Sequence, residues 1–319
     1  MADDAGYNTT VPPAGWGQGS VNPEAAALAR EMAAKGWVID PTRKSNYQED
    51  FDKKYEKATV LYLHGYGDNR MVASLQAGDM RHVVESAYAD VHIIEAFEQV
   101  KTHEDTYPIY PADPEYARTV LKGDMGKAYF WWKLTVPVCP KKDDPGDLWR
   151  HYDKETEEIQ VAAVKKLAEH IERLGGVDGI VGFSMGGEMA YLLLQHLELL
   201  SPAHQKKLKF IGTVCSEHIL SKIPLSKPFK LPHKMGFWLA YGEEDPEAVV
   251  DVPKAAEFFR DAGAHVVVRK LEKQGHTMPK SKLIFYEMNS VFLKALKRPY
   301  GGDEEHEDYK YFLDEAAAA

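Results

Sequence analysis

Apolar positions along this chain follow two alternating patterns. Short continuous runs of β-branched and aliphatic residues read as buried strands at 58–64, 90–95, 178–181, 208–214, 235–241 and 265–269. Between them, apolar residues recur at helical spacing. The clearest case is 155–174, where Val161, Val164, Leu167 and Ile171 share one face. Further helices are expected at 71–88, from Gly187 through Leu194, at 252–262 and at 280–296. Strands that alternate with helices predict an α/β fold with a mostly parallel central sheet and helices on both faces.

The pattern is irregular at three places. Residues 1–20 are rich in Gly, Pro, Asn and Thr, and a short helix is expected at 22–35, with Asn22 as cap and Pro23 in the first turn. Residues 1–50 therefore read as an N-terminal arm. The stretch 97–150 mixes prolines, charges and aromatics without a sustained period, and reads as a lid or specificity segment inside a domain spanning 51–298. Residues 299–319 are acidic and poor in apolar residues, as in a solvated tail.

Composition narrows the functional classes. A hydrophobic fraction of 44% supports a substantial core, and no run approaches the ~18 apolar residues of a membrane span. A net charge of −10 without a dense basic cluster argues against a nucleic-acid partner. Met1–Ala5 is acidic and has no apolar segment of the secretory type, so the expected location is the cytoplasm, with Cys139 and Cys215 as reduced thiols. Neither a metal-ligand cluster, a P-loop nor a dinucleotide fingerprint is present, so no cofactor is expected.

The chemistry centres on Gly182-Phe183-Ser184-Met185-Gly186, a G-x-S-x-G pattern between an expected strand and an expected helix. A serine at the apex of a tight strand–helix turn is an exposed nucleophile, and the glycines permit close backbone approach. Serine needs a base within hydrogen-bond reach. Among the histidines after Ser184, His276 lies in a loop at the carboxyl end of the last strand, where such sheets present their chemistry. His196 falls inside a helix, His265 starts a strand at the opposite edge, and His306 is in the tail. The acid should follow the strand ending at Tyr241. Asp245 is favoured over Glu244 and Asp251, because three residues after Gly242 reach back over the sheet edge. The oxyanion donors are expected to be the backbone N–H groups of Met185 and Tyr66, with Gly67 as the alternative to Tyr66. His64 reads as a residue that braces this loop. Trp131, Trp132, Met185 and Met278 are expected to line an apolar acyl pocket; plain core packing is the competing reading for the two tryptophans.

Four blocks carry a family resemblance: Leu63-His64-Gly65-Tyr66, Tyr129-Phe130-Trp131-Trp132, the run from Val177 to Gly186, and Gly275-His276-Thr277-Met278-Pro279. Together, over about 57–297, they resemble the FSH-type serine hydrolases, an α/β-hydrolase branch of small intracellular esterases similar to the proteins named for ovarian-cancer-associated gene 2. The resemblance implies an α/β-hydrolase fold with Ser184 as nucleophile, Asp245 as acid and His276 as base. Two departures bear on substrate preference. Met185-Gly186-Gly187 stands where the family often has Gln-Gly-Ala, and Glu95-Ala96-Phe97 replaces its usual Asp-Ala-Pro. A looser resemblance to acyl-protein thioesterases, through the loop His64 to Asp68 and Gly-Phe-Ser-x-Gly-Gly, implies the same triad acting on a thioester or lysolipid. The expectation is an esterase for a small ester or thioester. The alternatives are a thioesterase and a hydrolase fold retained as an assembly subunit, engaging a protein partner through the arm or the tail.

Overall fold

A computed structural model describes residues 56–86, 89–99, 101, 127–132, 154–216, 231–246, 248–279 and 281–298. The expected N-terminal arm with its helix, the acidic tail and most of the 97–150 segment lie outside these residues.

Six parallel strands form the central sheet: β1 (Ala58–Leu63), β2 (Ala89–Ile93), β5 (Gly179–Phe183), β6 (Phe210–Val214), β7 (Gly236–Gly242) and β8 (His265–Leu271), in the spatial order β2-β1-β5-β6-β7-β8. All their described pairings are parallel, so the sheet is more uniform than the mostly parallel one expected. A separate antiparallel ribbon joins β3 (Glu98–Gln99) to β4 (Tyr129–Phe130). Strands β5 and β6 are buried along their full length, which is why they read as unbroken apolar runs.

Side-chain alternation along the strands divides the core in two. Leu61, Leu63, Ile180, Ile211 and Phe237 pack with α3 (Lys154–Arg173), α4 (Met185–Gln195) and α6 (Ala248–Asp261). Val60, Tyr62, Val181, Phe210 and Trp238 face the other way, onto α1 (Arg70–Gln76), α2 (Gly78–Ser86) and α7 (Lys282–Ala295). A short α5 (Pro202–Lys207) leads into β6. Glu287 of α7 ties this layer to the sheet, accepting from Trp238 Nε1 at 3.0 Å and pairing with Arg269.

One expected helix is two. The span 71–88 breaks at Ala77, whose ψ of 5° departs from helical geometry, and α2 restarts at Gly78. Glycine is a poor interior helix residue, so the turn is the cheapest place to interrupt.

Candidate active site

The sheet brings three loops together at its carboxyl edge. The first is the turn from β5 into α4. Ser184 sits there with φ 51° and ψ −125°, a region non-glycine residues occupy only when their surroundings impose it. Two things impose it. Ser184 N–H is fixed to Val214 O on β6 at 2.9 Å. The flanking glycines leave no room for relaxation: a Cβ on Gly182 would lie 2.4 Å from Gly187 N, and one on Gly186 would lie 2.1 Å from Leu63 O. The spacing of the motif is therefore a steric requirement of crossing β1 at close range.

The second and third loops carry Asp245, after β7, and His276, after β8. Backbone bonds lace them together: Glu243 N–H to Leu271 O at 2.9 Å, and Glu244 N–H to Gln274 O at 2.8 Å. His276 lies between the Ser184 and Asp245 side chains. Its Nδ1 is 2.8 Å from Asp245 Oδ2 and its Nε2 is 2.9 Å from Ser184 Oγ. The imidazole is 37% exposed, whereas the Asp245 side chain is 3% exposed. Asp245 Oδ1 also accepts from Ala248 N–H at 3.2 Å, at the start of α6. The other two acid candidates are elsewhere: Glu244 is exposed, and Asp251 is on α6 with its carboxylate 3.9 Å from Lys254.

A family model for serine hydrolases of the FSH1 type matches residues 53–288. This chain belongs to that serine hydrolase family. No curated protein matches it. Among solved structures, it is similar to Arabidopsis thaliana SOBER1, at 16% identity over 75% of this chain and 99% of that one, with a TM-score of 0.47. It is also similar to esterase PE8, at 16% identity over 75% and 93% and a TM-score of 0.48. For a Bacillus cereus carboxylesterase the figures are 17%, 75% and 89%, and 0.46.

Electrostatics in the hydrolase suit a proton relay. Burial works to raise the Asp245 pKa, but the hydrogen bond and charge of His276, with the Ala248 N–H and the Cys215 thiol, outweigh it. The carboxyl is held below its ordinary value. An ionised acid on Nδ1–H leaves the Nε2 lone pair directed at the serine hydroxyl.

The loop after β1 is stitched to residues 127–131. Gly67 N–H donates to Tyr129 O at 3.0 Å, Tyr129 N–H to Asp68 O at 2.9 Å, and Asn69 Nδ2 to Lys127 O at 3.1 Å. The Tyr66 ring stacks on Phe130 at 5.6 Å. Gly67 N–H, the alternative oxyanion candidate, is thus already engaged. On the other side, Gly187 and Glu188 N–H return to Ser184 O, whereas Met185 N–H has no carbonyl one turn back inside the helix. His64 braces the loop as expected. Its ring is fully buried, Nδ1–H donates to Gly65 O at 2.8 Å and Nε2 accepts from Ala96 N–H at 3.1 Å; burial pushes its pKa down to about 4.

The tryptophans differ from expectation. Trp131 and Trp132 are 0% and 1% exposed, so neither offers surface to an acyl chain in this structure. Trp131 packs against His64 and Phe97 and donates its indole N–H to His64 O at 2.8 Å. Burial of both rings favours the core-packing reading, and for Trp131 the bond to the His64 carbonyl adds a polar partner. Met185 and Met278 are also buried, at 3% and 8% exposed.

Two residues next to the site escaped the sequence reading. Asp68 is a buried carboxyl whose pKa burial raises to about 6, against the opposing pull of Gln76, the Gly65 backbone and His276. Its only signal was its place after the glycines of the β1 loop. Cys215, fully buried at the end of β6, forms with Asp245 and His276 a set of possible metal-ligating atoms within 4.8 Å of one another. Of this set, His276 Nδ1 and Asp245 Oδ2 already bond to each other.

Proposed function

We propose that this serine hydrolase cleaves carboxylic esters through an acyl-enzyme, with Ser184 as nucleophile, His276 as general base and acid, and Asp245 as the orienting carboxylate. One observation carries the reading: the two ring nitrogens of His276 are at hydrogen-bond distance from Ser184 Oγ on one side and Asp245 Oδ2 on the other.

Ser184 Oγ attacks the ester carbonyl carbon as its proton passes to His276 Nε2, and Asp245 stabilises the imidazolium. The N–H groups of Met185 and Tyr66 receive the oxyanion, at the positive end of α4. Collapse breaks the bond to the alcohol oxygen, which leaves with the proton from Nε2. Water then attacks the acyl-enzyme and gives its proton to the same nitrogen; as the acyl–Oγ bond breaks, Nε2 returns that proton to Ser184 Oγ and the acid leaves. The same steps serve a thioester, whose thiolate is the better leaving group.

Labelling with a fluorophosphonate probe tests the reading. Wild-type protein labels and Ser184→Ala does not, and p-nitrophenyl esters of increasing acyl length then define the chain preference. Comparison with an acyl-thioester peptide separates esterase from thioesterase. A well-folded wild type that neither labels nor turns over any of these substrates defeats the proposal.

A further inference from the structure

Resting on that triad reading, we infer that Cys215 is a positioning residue, its buried thiol linking Asp245 to the loop that carries His276. β6 lies between β5, which presents Ser184, and β7, which leads to Asp245. Cys215 is the first residue beyond β6. Its own N–H is fixed to Ala240 O on β7 at 2.8 Å.

The backbone at Cys215 has φ 49°, a left-handed conformation that glycine adopts freely and cysteine does not. A side chain is kept here despite that cost, and its contacts indicate why. Sγ lies 3.8 Å from Gly275 O and 3.8 Å from Thr277 O, the carbonyls on either side of His276. Sγ also lies within 4.8 Å of the Asp245 carboxylate. A single S–H thus faces two carbonyls and one carboxylate, and the charged acceptor makes the stronger bond.

Burial first, then the charge of Asp245, pushes the thiol up to about 12. The group therefore stays a protonated donor at any working pH, and is neither a nucleophile nor a redox centre. Sulfur suits the position because 3.8 Å is within its contact range, whereas a serine oxygen on its shorter bond would have to give up some partners.

The test uses the full chain as wild type, Cys215→Ala and Cys215→Ser. It measures kcat and KM on a p-nitrophenyl ester across pH, and the downfield proton resonance of His276 Nδ1–H. Without the thiol donor, Asp245 becomes a stronger acceptor for that proton, so His276 becomes more basic. Cys215→Ala is expected to lower kcat roughly tenfold at nearly constant KM, the effect of losing one hydrogen bond to a charged group. It should also move the acid limb of kcat/KM to higher pH and shift the Nδ1–H resonance. Cys215→Ser, which keeps a donor, should recover most of all three. If Cys215→Ala does not fold, Cys215→Gly, which accepts φ 49° without strain, takes its place as the donor-less variant. Wild-type kcat, limb and resonance in the donor-less variant would overturn the assignment. So would equal losses in the serine and donor-less variants with the resonance unmoved, which would make Cys215 a packing residue only. The resonance needs no substrate, so it tests Cys215 even if the wild type hydrolyses no ester.

Discussion

The indole N–H of Trp131 donates to the carbonyl of His64 across 67 residues of sequence. His64 is the first residue after β1, in the loop that carries Tyr66, so this bond ties the loop to the 127–132 segment. Trp131→Phe keeps an aromatic ring in place but removes the donor and leaves a buried carbonyl unmet. The expected loss is about 1–3 kcal/mol in urea denaturation. In kinetics, kcat should fall more than KM rises, because the loop matters most once charge develops on the substrate oxygen. Unchanged kcat in a destabilised variant would mean the loop does not need this brace.

The two glycines nearest the chemistry should respond oppositely to a single methyl group. Gly186→Ala forces a Cβ to within 2.1 Å of Leu63 O and 2.7 Å of His64 O. Both obstacles are backbone, so relief requires α4 to move away from β1. Destabilisation of about 3 kcal/mol or failure to fold is expected. Gly275, beside His276, has nothing within 4 Å of its ideal Cβ and no unusual φ. Gly275→Ala should unfold at wild-type denaturant concentration. Comparable losses in the two variants would refute the close-crossing account of the motif.

Three carboxylates competed for the acid role, and charge-neutral substitutions separate them. Asp245→Asn presents the wrong group to Nδ1 and is expected to cost about 10⁴ in kcat, the scale seen when a triad acid becomes an amide. Glu244→Gln and Asp251→Asn should stay within about twofold, since Glu244 is exposed and the Asp251 carboxylate is 3.9 Å from Lys254, whereas His276 Nδ1 is taken by Asp245. Steady-state kinetics on one ester decides the matter. A large loss at Glu244 or Asp251 with little at Asp245 would reverse the assignment.

Most of the fold was legible because a parallel sheet buried on both faces writes itself as unbroken apolar runs, as in Gly179–Phe183 and Phe210–Val214. Ser184 and His276 were legible for a related reason: a glycine pair and a loop position are local signals. What stayed hidden depends on partners distant in sequence. Nothing near Trp131 says that it meets His64, so for the tryptophan pair an acyl pocket and core packing stay open together in the sequence. Cys215 looked like an ordinary reduced thiol because Asp245, Gly275 and Thr277 reach it from two other loops. The break at Ala77 was masked by a helical apolar pattern that runs through it. Asp68 was passed over because a charged residue in a glycine loop ordinarily faces water.

That buried carboxyl has a consequence for acid stability, because it opposes His64. The His64 pKa falls from 6.5 to about 4, chiefly through burial. Between those values the unfolded chain binds a proton that the folded chain refuses. His64 thus contributes stability that is complete above 6.5 and lost as pH falls towards 4, roughly 3 kcal/mol in all. Asp68 runs the other way. Burial raises it from 3.8 to about 6, so the folded chain takes up its proton first, and acidification through this window returns a similar amount, also about 3 kcal/mol. The two nearly cancel. Asp245, held low, contributes above its ordinary value and is lost only in stronger acid. Together, His64 and Asp68 should therefore add little slope to the wild-type unfolding free energy between pH 6.5 and about 4.5. Asp68→Asn keeps the shape of the side chain and removes its titration, exposing the His64 slope. Its stability should drop by about 2–3 kcal/mol more than that of the wild type over the same window. Urea denaturation of both proteins at pH 6.5 and 4.5 measures the difference directly. If their stabilities change in parallel, Asp68 is not the protonated partner that offsets His64.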